Sequence, residues 1–368
     1  MGLTIMGYLN NHAENIQIGV PFTKKEKQQF FRKNDYLKTS HDPEALTSEA
    51  EVRNFVKVGL KNVEEVMLSQ VTDYHSDLKA AASLILSAGG KRMRPKIILL
   101  IGKALGADYE TLISLAASIE LLHTATLVHD DLIDGALLRR GISTLNANWS
   151  SSATILTGDF LFAAASSLAA RTNSVEVMRL FSHTLMTIVN GEVNQLFLDC
   201  SSADIEEYHQ RIYSKTASLF ETSAQTAAMI SNVNQRQADA LAQFGCELGM
   251  AFQVVDDVLD YTGAENKMGK PVGGDLRQGL VTLPLIYFLE QYPNDTLAKG
   301  LIRGKNSLNE EELSQLIANI VQSDAIDKSL LDARDYVTRA KCCLMSLPEG
   351  AERSALIEIC NFVVERLS

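Results

Sequence analysis

The chain has 368 residues, 46% of them hydrophobic and 21% charged, the balance of a globular protein rather than of a disordered or fibrous one. Lysine and arginine number 34 against 45 aspartates and glutamates, a net charge of −11, and so acidic a surface excludes nucleic acid as the main partner. The five cysteines (Cys200, Cys246, Cys342, Cys343 and Cys360) form neither a disulfide framework nor a paired zinc spacing, so a reducing compartment is expected.

Residues 1–50 are polar and weakly periodic and read as an N-terminal arm. No secretory signal is evident, and Glu14, Glu26 and Asp35 argue against a transit peptide, so a cytoplasmic protein is expected. Within the arm, Lys24, Lys25, Lys27, Arg32 and Lys33 surround Phe30 and Phe31. That mixture leaves a peripheral membrane or partner contact open, but a mobile solvated arm is the favoured reading. From about Glu49 apolar residues recur at spacings of three and four, as in Val52, Phe55, Val56, Val63, Val66 and Met67. Similar runs predict helices over Pro95–Leu105, Tyr109–Asp134, Ser150–Ala170, Ser174–Asp199, Ile205–Ser231 and Gln235–Tyr261, with three or four more between Thr282 and Ser368. Leu112–Leu127 and Ile155–Leu168 are apolar nearly all round, as helices inside a bundle are. No series of alternating strands and no βαβ rhythm appears. Residues 51–368 are therefore expected to form one all-α domain, a large antiparallel helix bundle.

Two places set charge against apolar helix. His129-Asp130-Asp131-Leu132-Ile133-Asp134 follows the apolar run Ile119–Val128, and Asp256-Asp257-Val258-Leu259-Asp260 follows Met250–Val255. On a helix, residues four apart lie on one face, about 5–6 Å between Cβ atoms, so the spacing sets Asp130 beside Asp134 and Asp256 beside Asp260. Carboxylates crowded at the end of an apolar helix need compensation. Mg²⁺ supplies it, because it takes oxygen ligands and binds one or two carboxylates together with substrate phosphates. One D-D-x-x-D is weak evidence and is usually a helix end meeting solvent; two, each at the end of an apolar run, point to a polyphosphate held by Mg²⁺. Cations accompany them. Gly89-Gly90-Lys91-Arg92-Met93-Arg94-Pro95 places three at the mouth of a helix, and Arg139-Arg140 lies just beyond the first cluster. His123, Glu192, Gln195, Lys215, Thr216 and Gln253 interrupt apolar helices; for His123, Glu192 and Gln195 a satisfied core polar group is an equal reading.

In order along residues 50–368, GGKRMRP, DDLIDGALLRRG, GEVNQ, YSKT, FQVVDDVLD and GKPVGGDL resemble the trans-polyprenyl diphosphate synthase family. The resemblance implies an all-α bundle around a deep central cavity (the isoprenoid synthase fold), usually a homodimer. It implies head-to-tail condensation of isopentenyl diphosphate with an allylic diphosphate, with Mg²⁺ as cofactor. In that pattern Asp130, Asp131 and Asp134, with Asp256, Asp257 and Asp260, bind the Mg²⁺ ions that grip the allylic diphosphate. Arg139, Lys215 and Lys270 contact the same diphosphate. Lys91, Arg94, His123 and Arg140 hold isopentenyl diphosphate, and Thr216 and Gln253 face the developing allylic cation. One departure stands out: the family commonly has G-K-x-T after GGDL, and this chain reads Gly279-Leu280-Val281-Thr282, without that lysine.

Product length is expected to depend on what lines the cavity upstream of the first acidic cluster. Short-chain members carry a bulky aromatic near position 125; here Ala125 and Thr126 are small, which points to an octaprenyl or nonaprenyl product. Phe181 or Met186 on the next helix are further candidates for a floor. The alternatives are a shorter-chain farnesyl or geranylgeranyl synthase, a class I terpene cyclase, or one subunit of a two-component synthase. The second intact D-D-x-x-D speaks against a cyclase, and both acidic clusters speak against a non-catalytic partner or a helical scaffold.

Overall fold

The computed structural model describes residues 48–366 apart from 73, 88, 140, 198–202, 264–271 and 304–307. These residues belong to one compact unit, Thr47–Ser368. The arm, with its basic and aromatic stretch, lies outside the described residues, as do Arg140 and Lys270.

The expected helices are present. The first, α1 (Glu49–Ser69), opens on a capping box in which the Ser48 hydroxyl accepts from Glu51 N–H while the Glu51 carboxylate accepts from Ser48 N–H. Next come α2 (Ser76–Ser87), α3 (Met93–Ala104) and α4 (Tyr109–Ile133). The third begins two residues before the expected Pro95, which sits in its first turn, where a missing N–H leaves no bond unmade. Then follow α5 (Ser151–Ala170), α6 (Val175–Phe197) and α7 (Ile205–Ile212). The long run expected over Ile205–Ser231 is not one helix: a π-helical turn, Tyr213–Ala217, separates α7 from α8 (Ser218–Met229). The remainder are α9 (Gln235–Thr262), α10 (Leu283–Gln291), α11 (Thr296–Arg303), α12 (Glu310–Gln322), α13 (Ala325–Cys343) and α14 (Ala351–Glu365). Among the described residues the only sheet is a two-residue hairpin, β1 (Leu138–Arg139) against β2 (Ile142–Ser143).

α4 is the central helix, packed on α1, α3, α5 and α8, with Leu115, Ile119, Leu121 and Leu122 fully buried. Each such side chain contributes about 1.5–3 kcal/mol relative to exposure. α9 packs on α8, α13 and α14. Close approach of α8 to α9 depends on two glycines four apart: a Cβ on Gly245 would meet Phe220 O at 2.4 Å, and one on Gly249 would meet Ala217 Cα at 2.6 Å. That backbone-to-backbone contact sets the π turn against the middle of α9.

The reading of α5 as an interior helix holds only in part. Ile155 and Leu156 are exposed, and α6 exposes Met186, Val189, Val193, Leu196 and Phe197 along one face. Met186 is thus exposed on α6, whereas Phe181 is buried.

Candidate active site

The first acidic cluster occupies the last turn of α4. Gly135, in the left-handed conformation at φ +64, stops the helix immediately after Asp134, and Ala136 N–H bonds back to Asp131 O. Along the end of α4, His123, Thr126, Leu127, Asp130 and Asp134, none of them fully buried, lie on one stripe of the helix; His129, Leu132 and Ile133, also not buried, lie beside it. Ala125 lies off that stripe and is fully buried. Asp131 is buried and accepts from Arg139 Nε at 2.8 Å, which ties the hairpin to the helix end.

Lys215 on the π turn faces this cluster, with its Nζ 2.7 Å from Glu192 Oε1 and 3.9 Å from Asp130 Oδ2. Burial pushes Asp130 up to about 6; Lys215 opposes the rise, while Glu192 and Asp134 add to it. Burial alone would lower Lys215, but Asp130 and Glu192 outweigh it and hold the ammonium charged. A π turn adds a residue to the helical circuit. Here it lets two consecutive side chains be used: Lys215 toward Asp130, and Thr216, whose hydroxyl donates to Gln253 Oε1 at 2.7 Å. Gln253 Nε2 donates in turn to Asp257 Oδ1 at 2.8 Å. The two acidic clusters are thus joined through adjacent residues of one turn.

The second cluster does not present its carboxylates as one face. Asp256 is partly exposed and pairs with Arg366 at 2.7 Å. Asp257 is buried, and burial, then the charge of Asp275, pushes it up to about 8 despite the Gln253 bond and a second bond from Tyr208. Asp260 accepts from Gly274 N–H at 3.1 Å and Asp275 N–H at 3.0 Å, capping the helical turn Gly274–Arg277. Among the described residues no three His, Cys, Asp or Glu side chains converge on one metal-sized point. Protein carboxylates alone therefore do not enclose a metal among the described residues. The donor set fits Mg²⁺ in its usual form, an octahedral ion that keeps waters and takes one or two carboxylates plus substrate phosphate oxygens.

The cationic loop divides its labour. Arg92, in the left-handed region at φ 48, turns inward to Glu120 at 2.8 Å, Glu64 at 3.2 Å and Leu86 O at 3.0 Å, a structural role. Arg94 is buried over the Phe220 ring, 4.4 Å from its centroid, and burial pulls it down to about 10. Its Nε is buried without a hydrogen-bond partner among the described residues, as is one terminal nitrogen of Arg366. Orphaned guanidinium donors are expensive unless an anion takes them. Lys91 Nζ lies 6.0 Å from the Phe252 centroid and 5.9 Å from that of Phe362. His123 and Gln195 are half-buried. Tyr208 and Arg366 are the site residues that sequence reasoning missed: each reaches the second cluster across a long stretch of chain, which no local spacing signals.

The site thus sets two aspartate-rich helix segments, joined across a lysine-bearing turn, inside an all-α bundle. The polyprenyl synthetase model matches residues 75–320. Heptaprenyl diphosphate synthase component 2 of Bacillus subtilis is 35% identical over 314 residues, covering 85% of this chain and 89% of that protein. Octaprenyl diphosphate synthase of Haemophilus influenzae is 33% identical over 328 residues, covering 87% and 98%. The crystal structure of a polyprenyl synthase from Caulobacter crescentus, complexed with calcium and isoprenyl diphosphate, superposes with a TM-score of 0.80 at 33% identity, covering 89% of this chain and all of that one. The chain belongs to the polyprenyl synthetase family. It is a prenyltransferase that builds a polyprenyl diphosphate by trans-prenyl condensation.

Proposed function

We propose that the chain makes a long all-trans product, octaprenyl or nonaprenyl diphosphate, from isopentenyl diphosphate and an allylic primer with Mg²⁺. The observation that carries the site assignment is the linkage Asp130–Lys215, then Thr216–Gln253–Asp257, which brings both acidic clusters to one turn. Asp130, Asp131 and Asp134 on α4, with Asp256, Asp257 and Asp260 on α9, would hold the Mg²⁺ ions. When bound, Mg²⁺ neutralises negative charge on the departing diphosphate and so favours breaking its bond to carbon.

The chain's own residues do the rest. Lys215, charged and anchored between Asp130 and Glu192, contacts the allylic diphosphate together with Arg139 and Lys270. Arg94 and Lys91, with His123 and Arg140, hold the isopentenyl diphosphate, and the orphaned Arg94 Nε supports that role. Thr216 and Gln253 orient electron-rich oxygens beside the developing cation. The apolar walls keep water from quenching it. No side chain here is a strong base, and the released diphosphate is the proton acceptor. Small Thr126, on the same stripe of α4 as Asp130, leaves room for a long chain, whereas the equally small Ala125 is packed in the core off that stripe. A homodimer is the assembly we favour, supported by the apolar face of α6 and the exposed Ile155 and Leu156 of α5, since such a face calls for a partner. A two-component enzyme is the second reading, favoured by the relative that is one component of a heptaprenyl synthase.

Incubating the purified chain with Mg²⁺, radiolabelled isopentenyl diphosphate and C5, C10, C15 or C20 allylic primers, then sizing the hydrolysed products, tests this. Long linear products are expected. No incorporation with any primer would overturn autonomous activity, and cyclic hydrocarbon would point to a cyclase.

A further inference from the structure

One short stretch of chain, residues 208–216, reaches the second acidic cluster from both ends, directly at one and through Gln253 at the other. At its far end the Thr216 hydroxyl donates to Gln253. At its near end Tyr208, 1% exposed, donates its hydroxyl to Asp257 Oδ2 at 2.7 Å. The other oxygen, Oδ1, receives Gln253 Nε2 at 2.8 Å. Both oxygens of one buried carboxylate are therefore clamped, and each retains a second lone pair.

The neighbourhood explains why a phenol stands there. Asp257 is 3% exposed and has the charge of Asp275 nearby, so an unheld carboxylate would be strongly disfavoured. Tyr208 supplies a donor without adding a charge. Its ring is packed against His209 at 5.6 Å, and the Arg211 guanidinium lies 5.5 Å from its centroid, so the hydroxyl is aimed by two contacts of its own helix.

We propose that Tyr208 is a positioning residue for the prenyl-transfer site. With Gln253 it clamps Asp257 in the orientation that serves the metal–diphosphate complex. The same clamp fixes the Gln253 amide, and through it the direction of the Thr216 hydroxyl. The stretch that carries Lys215 to the first cluster thus also sets the second.

The inference rests on the reading that Asp257 serves Mg²⁺, and calorimetry with Mg²⁺ and inorganic pyrophosphate separates the two. Wild-type protein that binds no Mg²⁺ in the presence of pyrophosphate sinks that reading itself. If wild type binds, Tyr208→Phe should weaken the Mg²⁺–pyrophosphate affinity about tenfold, the range seen when an outer partner of a ligand is removed. Its kcat should fall while KM for isopentenyl diphosphate stays the same, because Lys91 and Arg94 lie on other elements. Tyr287→Phe removes a comparable tyrosine bond, to Asp332 between α10 and α13, and should lower Tm without moving either constant. Affinity and kcat of Tyr208→Phe within twofold of wild type would overturn the proposal. Should that variant fail to fold, Gln253→Leu cuts the clamp from the other oxygen. It too must weaken Mg²⁺–pyrophosphate binding about tenfold, and unchanged affinity there overturns the clamp.

Discussion

Replacing Asp257 by asparagine should make the metal-free protein more stable while abolishing its chemistry. The carboxyl is buried, and its folded value of about 8 lies far above the ordinary 3.8. Below pH 3.8 it is protonated in both folded and unfolded chains and has no effect. Between 3.8 and about 8 the unfolded chain gives up the proton and the folded one keeps it, so stability falls as pH rises; above about 8 the loss is complete. At about 1.4 kcal/mol per pKa unit, the shift sets a ceiling of about 4 kcal/mol at pH 7. Asparagine never ionises, and its amide can still pair with Gln253 and Tyr208. At about 2–4 °C per kcal/mol, Tm of Asp257→Asn in a chelating buffer should exceed wild type by several degrees at pH 8. The gap should narrow steadily on lowering the pH to 5. A variant less stable than wild type at pH 8, or a gap that does not change with pH, would refute the argument that burial of this charge is the source of the strain.

Other outcomes follow from the same geometry. Lys215→Ala leaves Asp130 and Glu192 facing each other without their shared cation, and kcat should drop about 100-fold in a single-turnover assay. Gly245→Ala pushes a methyl against Phe220 O and should cost about 1–3 kcal/mol, read as a lower midpoint in urea unfolding. Thr126→Tyr should shorten the product, seen on reversed-phase chromatography of the hydrolysed polyprenols; products as long as wild type would remove position 126 from the floor. On the proposed homodimer, Val193→Asp on the exposed face of α6 should give a monomer in light scattering where wild type gives a dimer; a monomeric wild type would refute that assembly.

Much of the architecture was legible because helical period is a local property. The runs of α4, α5 and α9 are visible in the spacing of their apolar residues, and their ends fall within a few residues of expectation. The two D-D-x-x-D clusters were equally plain, whereas the Gln253–Asp257 bond, though local, is seen only in the structure. What spacing could not show is where tertiary contacts redirect a side chain. Asp256, Asp257 and Asp260 share a helix end, yet one pairs with Arg366, one is clamped by Tyr208 and Gln253, and one caps the Gly274–Arg277 turn. The π turn was hidden because apolar spacing continues across it; in the structure its end packs closely on Gly249 of α9. α5 looked interior throughout because composition does not say which side of an apolar helix the bundle covers, and Ile155 and Leu156 are left exposed.

The central claim is that both acidic clusters act together on one diphosphate through divalent metal. Crystals grown with Mn²⁺ and inorganic pyrophosphate, measured by anomalous diffraction, test it most directly. Anomalous peaks bridging pyrophosphate to the α4 cluster at Asp130–Asp134 and to the α9 cluster at Asp256–Asp260 are the predicted result. Peaks at one cluster alone, with the pyrophosphate remote from the other, would contradict it.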